Sequence, residues 1–245
     1  MEFSVCLAGK NIAVTSIFDE VYDLCRDYWT DASPDMTVKV TNEDIAYEKI
    51  INIRESQLEG IQIVDYPDSY LETLAVYRKI ATKMLEFDTF LMHGAVVAVG
   101  DKAWLFTAPS GTGKTTHINL WLKNIQGSYV VNGDKPLIHI GDECTVYGTP
   151  WAGKEGMNRN MGVKLCGIVC LNRGKDNRIE KVSLSQLLPV LIQQSYRPKE
   201  KAGLEKTLVL LSRLGRKIPM YQLYCNMNDE AALTAYNALS GAENE

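Results

Sequence analysis

Eight residues, Ala108-Pro109-Ser110-Gly111-Thr112-Gly113-Lys114-Thr115, constrain this chain more than any other part of its 245-residue sequence. An apolar run of strand length, 103–107, precedes them, and residues 114–124 after them carry helical spacing. Small residues let successive backbone N–H groups curl around an anion, and the helix that follows adds the positive end of its dipole. A P-loop of this kind works only between a strand and a helix, so the middle of the chain has to be α/β. In such a loop Ser110, Gly111, Thr112, Gly113, Lys114, Thr115 and Thr116 bind the phosphates of a nucleotide, most simply ATP. Lys114 reaches the β- and γ-phosphates, and the Thr115 hydroxyl holds Mg²⁺. Ala108 stands where the strict pattern has its first glycine.

A second element follows about 20 residues after Lys114, and an acid at the end of a strand after a P-loop can complete a Mg²⁺ shell. It is Tyr129-Val130-Val131-Asn132-Gly133-Asp134-Lys135-Pro136, an apolar run ending in a carboxylate. Asp134 would complete the Mg²⁺ shell begun by Thr115. Asn-Gly-Asp is also good hairpin chemistry, so a plain turn is the alternative.

Around these two elements the apolar periodicity predicts further strands at 90–99, 137–140, 144–148, 164–171 and 220–225, with Gly100-Asp101 turning the first back towards 103–107. Helices are expected at 67–87, 184–196, 204–214 and 229–239. The first 66 residues mix strand-like runs (4–7, 11–15, 37–40, 61–64) with helical patterns (18–29, 42–53), which reads as a small α+β cap before a domain over 67–245. Residues 149–162, rich in Gly, Asn and Lys, read as a mobile lid loop.

Composition excludes several classes. With 46% hydrophobic and 23% charged residues the chain is an ordinary globular one, and a formal charge of -4 gives no general attraction to nucleic acid or an anionic membrane. The start Met1-Glu2-Phe3-Ser4-Val5 has no secretory pattern and no apolar run reaches membrane-spanning length, so a cytoplasmic protein is expected. Cys6, Cys25, Cys144, Cys166, Cys170 and Cys225 form no CxxC pair and suggest neither zinc site nor disulfide framework. A homo-oligomer is compatible with all of this.

Taken together, Met92-His93-Gly94-Ala95, residues 108–116, residues 131–138 and Gly148-Thr149-Pro150-Trp151-Ala152-Gly153-Lys154 resemble the HPr serine kinase/phosphorylase-like branch of the phosphoenolpyruvate carboxykinase-like P-loop fold. The resemblance spans roughly residues 90 to 175. It implies an α/β P-loop kinase of the HPr kinase/phosphoenolpyruvate carboxykinase-like type, with the α+β amino-terminal cap added. It also implies ATP-dependent transfer of the γ-phosphoryl to a hydroxyl of a peptide, protein or small-molecule acceptor. His93 falls beside the phosphate site, where an imidazole orients a group or accepts a proton. The resemblance implies two adjacent aspartates, a base followed by a metal ligand, where this chain has Gly133 and Asp134. Glu155 is the substitute base by position, and Lys154, Arg159 and Arg197 are candidates to neutralise phosphoryl charge. Residues 155–162 do not match the signature of true HPr kinases, so HPr itself is not the implied acceptor.

Two other readings stay open. A regulatory nucleotide-binding protein or pseudokinase would keep the P-loop and lose the base at Gly133. A carboxykinase would need a second substrate lobe and further metal ligands, for which 245 residues leave little room. His117 and His139 read as ordinary, and Trp121 and Trp151 as packing residues.

Overall fold

The computed structural model describes residues 1–60 and 62–241. The chain separates into two compact units, Met1–Lys83 and the remainder from Met84 onward.

In the first unit, β1 (Glu2–Leu7) and β2 (Lys10–Thr15) form an antiparallel hairpin through Ala8 and Gly9, both at positive φ, 49° and 72°. Left-handed backbone at both turn residues matches the natural twist of the strands. Then come α1 (Glu20–Leu24), β3 (Met36–Lys39), which pairs parallel to β2, α2 (Asn42–Glu59) and α3 (Asp68–Met84). Asp44 accepts the Thr41 N–H at 2.8 Å at the start of α2, and Gly60 ends the helix in the left-handed conformation.

Buried charge ties this unit together. Glu48, 2% exposed, accepts two bonds from the Arg78 guanidinium at 2.5 and 2.9 Å and joins α2 to α3. The fully buried Glu72 of α3 accepts the backbone N–H groups of Ile17 and Phe18 at 2.5 and 2.9 Å. These bonds put α3 with the first unit, so the division falls at the end of that helix and not at residue 66.

Two local expectations change here. The helix expected over 18–29 is only α1 followed by a 3-10 turn, Arg26–Tyr28, because Trp29 turns extended, bridges to Val5 and stacks on Tyr22 at 4.1 Å. Of the strand expected at 61–64, Ile61 lies outside the described residues, and residues 62–64 are not in a strand. Ile63 and Val64 are both exposed.

The second unit is built on one mixed nine-stranded sheet. In chain order it comprises β4 (Thr89–Leu91), β5 (Ala95–Val99), β6 (Lys102–Thr107), α4 (Lys114–Asn124), β7 (Ser128–Asn132), β8 (Leu137–Ile140), β9 (Cys144–Tyr147) and β10 (Gly162–Arg173). After these come β11 (Arg178–Val182), α5 (Leu184–Gln194), α6 (Lys201–Lys217), β12 (Met220–Cys225) and α7 (Glu230–Gly241). The sheet runs β4-β8-β9-β10-β6-β5-β7, and β12 joins β10 while β11 joins β12. The parallel neighbour pairs of this sheet are β6–β10 and β10–β12, so Thr107, Arg173 and Cys225 end on the same side. That is where α/β sheets bind ligands.

Alternation along β6 assigns the two faces. Ala103 and Leu105 pack with Leu187 and Leu191 of α5 and Leu210, Leu211 and Leu214 of α6. Trp104 and Phe106 pack with Ile118 and Trp121 of α4 and Ala232 and Ala235 of α7. The small α7 residues leave room for the fully buried Trp121, whose loss to Ala would cost about 3–5 kcal/mol.

The strand expected over 90–99 is two strands. The chain breaks at Met92–Gly94 because a Cβ at Gly94 would lie 2.9 Å from the Leu105 side chain and 3.0 Å from the Phe106 carbonyl. Glycine permits that approach, and β4 leaves for β8 while β5 stays with β6 and β7. The outer strand β11 was missed, since Arg178, Glu180 and Lys181 give it the polar look of a loop, which is how edge strands resist further pairing.

Candidate active site

The glycine-rich loop 108–113 leaves the buried end of β6, where Thr107 donates its hydroxyl to the His93 carbonyl at 2.8 Å. Gly111 and Gly113 adopt φ of 74° and 120°, which side chains with a Cβ resist. No side chain caps α4, so the N–H groups of its first turn remain open to an anion. Lys114, the first residue of α4, folds back and donates to the Ala108 carbonyl at 2.9 Å. Burial pulls its ammonium below the ordinary lysine value, and the Asp134 carboxylate works against that pull.

Asp134 lies in the turn that follows β7, and the turn is held from beneath. The fully buried Asn132 accepts the N–H groups of Asp134 and Lys135 at 2.9 and 2.7 Å through its side-chain oxygen. Its amide donates to the Thr149 carbonyl and hydroxyl at 3.0 and 3.2 Å, and that hydroxyl donates to Lys135 O at 2.8 Å. A carboxylate set on such a base has little freedom. His93 Nε2 lies 2.9 Å from one Asp134 oxygen and Lys135 Nζ 3.6 Å from the other. Burial opposes the Asp134 charge, but the His93 hydrogen bond and the neighbouring Lys135, His93 and Lys114 outweigh it and hold the carboxyl below the usual range.

His93 is positioned by backbone on both sides. Its N–H donates to the Gln194 carbonyl at 2.7 Å, and the next N–H, of Gly94, donates to the Asp134 carbonyl at 2.8 Å. The break between β4 and β5 therefore delivers the imidazole to the carboxylate.

Gly133 is sterically committed. A Cβ there would meet the Ala152 carbonyl oxygen at 2.8 Å, and its N–H is already given to the Met157 carbonyl at 2.9 Å. A larger side chain has no room at this position without a shift of the backbone.

The segment 149–162, expected to be a mobile loop throughout, is anchored at both of its ends. Thr149, Trp151 and Ala152 are buried. Met157 to Met161 is stitched to the β7 end of the sheet by Gly133 N–Met157 O, Arg159 N–Val131 O at 3.0 Å and Gly148 N–Met161 O at 3.1 Å. Polar composition hid this because its bonds are backbone ones. The longest exposed run is Gly153–Gly156 at the bend, with Arg159, Asn160 and Gly162 exposed further along, and Gly153 lies with its Cα against Asp134, where a Cβ would be 3.2 Å from the Asp134 Cβ.

Of the residues singled out in the sequence, the structure brings together Lys114, Asp134 and His93, with Ser110, Gly111, Thr112, Gly113, Thr115 and Thr116 in the adjoining loop and first helical turn. Lys154 and Glu155 follow Gly153 at the exposed bend. Arg159 lies over the Tyr129 ring at 4.7 Å, and Arg197 is exposed. Trp121 and Trp151 are buried, His117 is hydrogen-bonded to Trp121, and His139 to Thr89.

Three contributors escaped the sequence reading. Asn132 as the base of the turn was legible in the Asn-Gly-Asp-Lys run, and so was Lys135. Arg173, at the end of β10, donates to the carbonyls of Gly111 at 2.6 Å and Thr112 at 3.4 Å, across a separation along the chain that no local pattern signals.

A cavity of about 500 Å³ opens beside the glycine-rich loop, between α4 and the ends of β10 and β12. Gly111, Gly113 and Thr116 form the side nearest the loop, Leu120, Leu171 and Cys225 are apolar lining, and the exposed Met227 is at its edge.

No family model and no curated protein matches the chain. Among solved structures, the HPr(Ser) kinase/phosphatase from Coxiella burnetii is similar at 11% identity and a TM-score of 0.36, over 62% of this chain and 98% of that one. Among the described residues no helix is long and apolar enough to cross a membrane.

Proposed function

We propose that this chain is an ATP-dependent phosphotransferase of the HPr kinase-like type, moving the γ-phosphoryl of ATP to a hydroxyl of a peptide, protein or small-molecule acceptor. The observation that carries the reading is the coupling of the P-loop lysine, Lys114, to an ionised Asp134 that is itself fixed by His93 and Asn132. Phosphoryl transfer asks mainly for positioning and charge neutralisation, and this cluster supplies both.

The nucleoside fits the cavity beside the loop, with its phosphates over the open amides of α4 and the Lys114 ammonium released from Ala108. Thr115 and Asp134 would hold Mg²⁺, since both offer hard oxygen atoms and Asp134 stays ionised. Bound there, the metal would neutralise charge on the β- and γ-phosphates. His93 keeps the Asp134 carboxylate aimed, and Lys135 adds a second positive charge to the same side. The acceptor hydroxyl approaches from the exposed bend, where Lys154 offsets phosphoryl charge and Glu155 is the candidate base.

A second reading, nucleotide binding without turnover, is favoured by one observation: Gly133 leaves no space for the aspartate that the resemblance implies as base. One experiment tests the common part of both readings. Mg-ATP at about 100 times its Kd should stabilise the fold by about 2.7 kcal/mol. Lys114→Ala should abolish most of the resulting rise in melting temperature, and an unchanged rise would mean that the loop does not bind the nucleotide. Release of ADP with a candidate acceptor then separates the kinase from the silent binder.

A further inference from the structure

Arg173 is held by its backbone on one strand and by its guanidinium on the loop after another. Its main chain pairs with Cys225 in the parallel β10–β12 ladder, and the next N–H, of Gly174, donates to the Cys225 carbonyl at 2.9 Å. On the other edge of β10 the last pair with β6 is Cys170 with Thr107. Beyond that pair β6 gives way to the P-loop, while β10 continues to Arg173. The guanidinium thereby arrives beside the loop from a rigid strand, and donates to Gly111 O at 2.6 Å and Thr112 O at 3.4 Å. Among the described residues it has no carboxylate partner. It is also the single lysine or arginine lining the cavity described above.

Two glycines make the loop soft at the same place. Gly111 and Gly113, both at positive φ, flank Thr112, and glycine visits many conformations at little cost. A peptide unit is planar and trans, so its C=O and its N–H point in opposite directions. Fixing the carbonyls of Gly111 and Thr112 on the Arg173 side therefore turns the N–H groups of Thr112 and Gly113 to the inner side of the loop. The Thr112 N–H donates to the Pro109 carbonyl at 3.4 Å, a long bond that a phosphate would replace.

We propose that Arg173 is the positioning residue of the phosphate loop: its planar fork grips two loop carbonyls and presets the neighbouring amides for a phosphate before any ligand arrives. This rests on reading the loop as phosphate-binding. The guanidinium acts through the loop, and its five donors in one plane suit two carbonyls in a way that the single ammonium of lysine does not. Preorganisation of this kind lowers the ordering cost that a ligand would otherwise meet.

The test uses the whole chain with Arg173→Ala, Arg173→Lys and, as a control for charge alone, Arg178→Ala. Arg178 lies over the Tyr224 ring at 4.0 Å and has no bond to the loop. Amide exchange over residues 108–116 is measured without ligand, and affinity is measured for Mg-ATP and for magnesium tripolyphosphate, which carries the phosphates without a nucleoside. Both Arg173 variants should exchange several-fold faster in the loop, keep the wild-type melting temperature, and bind both ligands on the order of ten-fold more weakly. Arg178→Ala should match wild type throughout. Unchanged loop exchange in Arg173→Ala would overturn the proposal, and so would Arg173→Lys behaving as wild type or faster exchange with unaltered affinity. If the wild-type chain binds neither ligand, the phosphate reading is lost and the purpose assigned to Arg173 goes with it. Loop exchange would then still decide whether Arg173 shapes the loop.

Discussion

Trp121 donates its indole N–H to His117 Nε2 at 3.0 Å, one turn apart on α4 and both buried. The bond needs a lone pair on Nε2, so it exists only while the imidazole is neutral. Burial pushes the His117 pKa down to about 4. The folded state therefore binds fewer protons than the unfolded one between about pH 4 and the ordinary histidine value near 6.5, and stability rises with pH across that window. His117 contributes fully above the window and loses its share on acidification, on the order of 3 kcal/mol in total. Urea unfolding at a series of pH values should show this acid slope, and His117→Gln should flatten it. An identical slope in the variant would refute the assignment.

Replacing Asp134 by Asn keeps the shape of the side chain and removes its charge. A metal ligand lost in this way raises the Mg²⁺ needed for nucleotide binding as well as slowing transfer, whereas a lost base slows transfer alone. Titrating Mg²⁺ at fixed ATP should show a requirement raised by about ten-fold or more in Asp134→Asn, which amounts to roughly 1.4 kcal/mol. Wild-type metal dependence with no turnover would make Asp134 the base instead.

At Gly133 even one carbon is too many. With the Ala152 carbonyl 2.8 Å from the added Cβ, Gly133→Ala should destabilise the fold by about 1–3 kcal/mol, because backbone has to move. Gly133→Asp should do the same and gain no turnover. Chemical denaturation and an ADP-release assay check the two halves, and a stable, faster Gly133→Asp enzyme would contradict both.

The β7-side segment offers a test by hydrogen exchange. The amides of Gly133, Gly148 and Arg159 are bonded and should exchange slowly without ligand, while the exposed Gly153–Gly156 bend should exchange fast and slow down when nucleotide and acceptor are both present. Uniformly fast exchange from 149 to 162 would restore a fully mobile lid.

The sequence was most informative where chemistry and local geometry coincide. Glycines at 111 and 113 with Lys114 announce the loop, and α4 begins and ends where its spacing says it should. It was silent where distant segments meet. Nothing near Arg173 refers to Gly111, and nothing in the polar run after Ala152 refers to the backbone of Val131, to which Arg159 is bonded. The continuous apolar stretch through Met92 concealed a break set by the Leu105 side chain pressing on Gly94. Composition likewise misjudged β11, whose charges face outward at an edge.

The three neighbours of β10 bear on how the second unit comes apart. It pairs with β9 through Gly162–Lys164, with β6 through Lys164–Cys170 and with β12 through Ile168–Arg173, so along its length it has a partner on one side or both. Fraying can begin at β4, β7 or β11, which close the open borders of the sheet. Freeing β10 would strip three partners at once and expose both packed faces. Opening at β10 should therefore cost nearly as much as melting the entire unit, and its amides should be among the last to report solvent. The arginine that holds the Gly111 and Thr112 carbonyls is thus rooted in the part of the sheet slowest to yield.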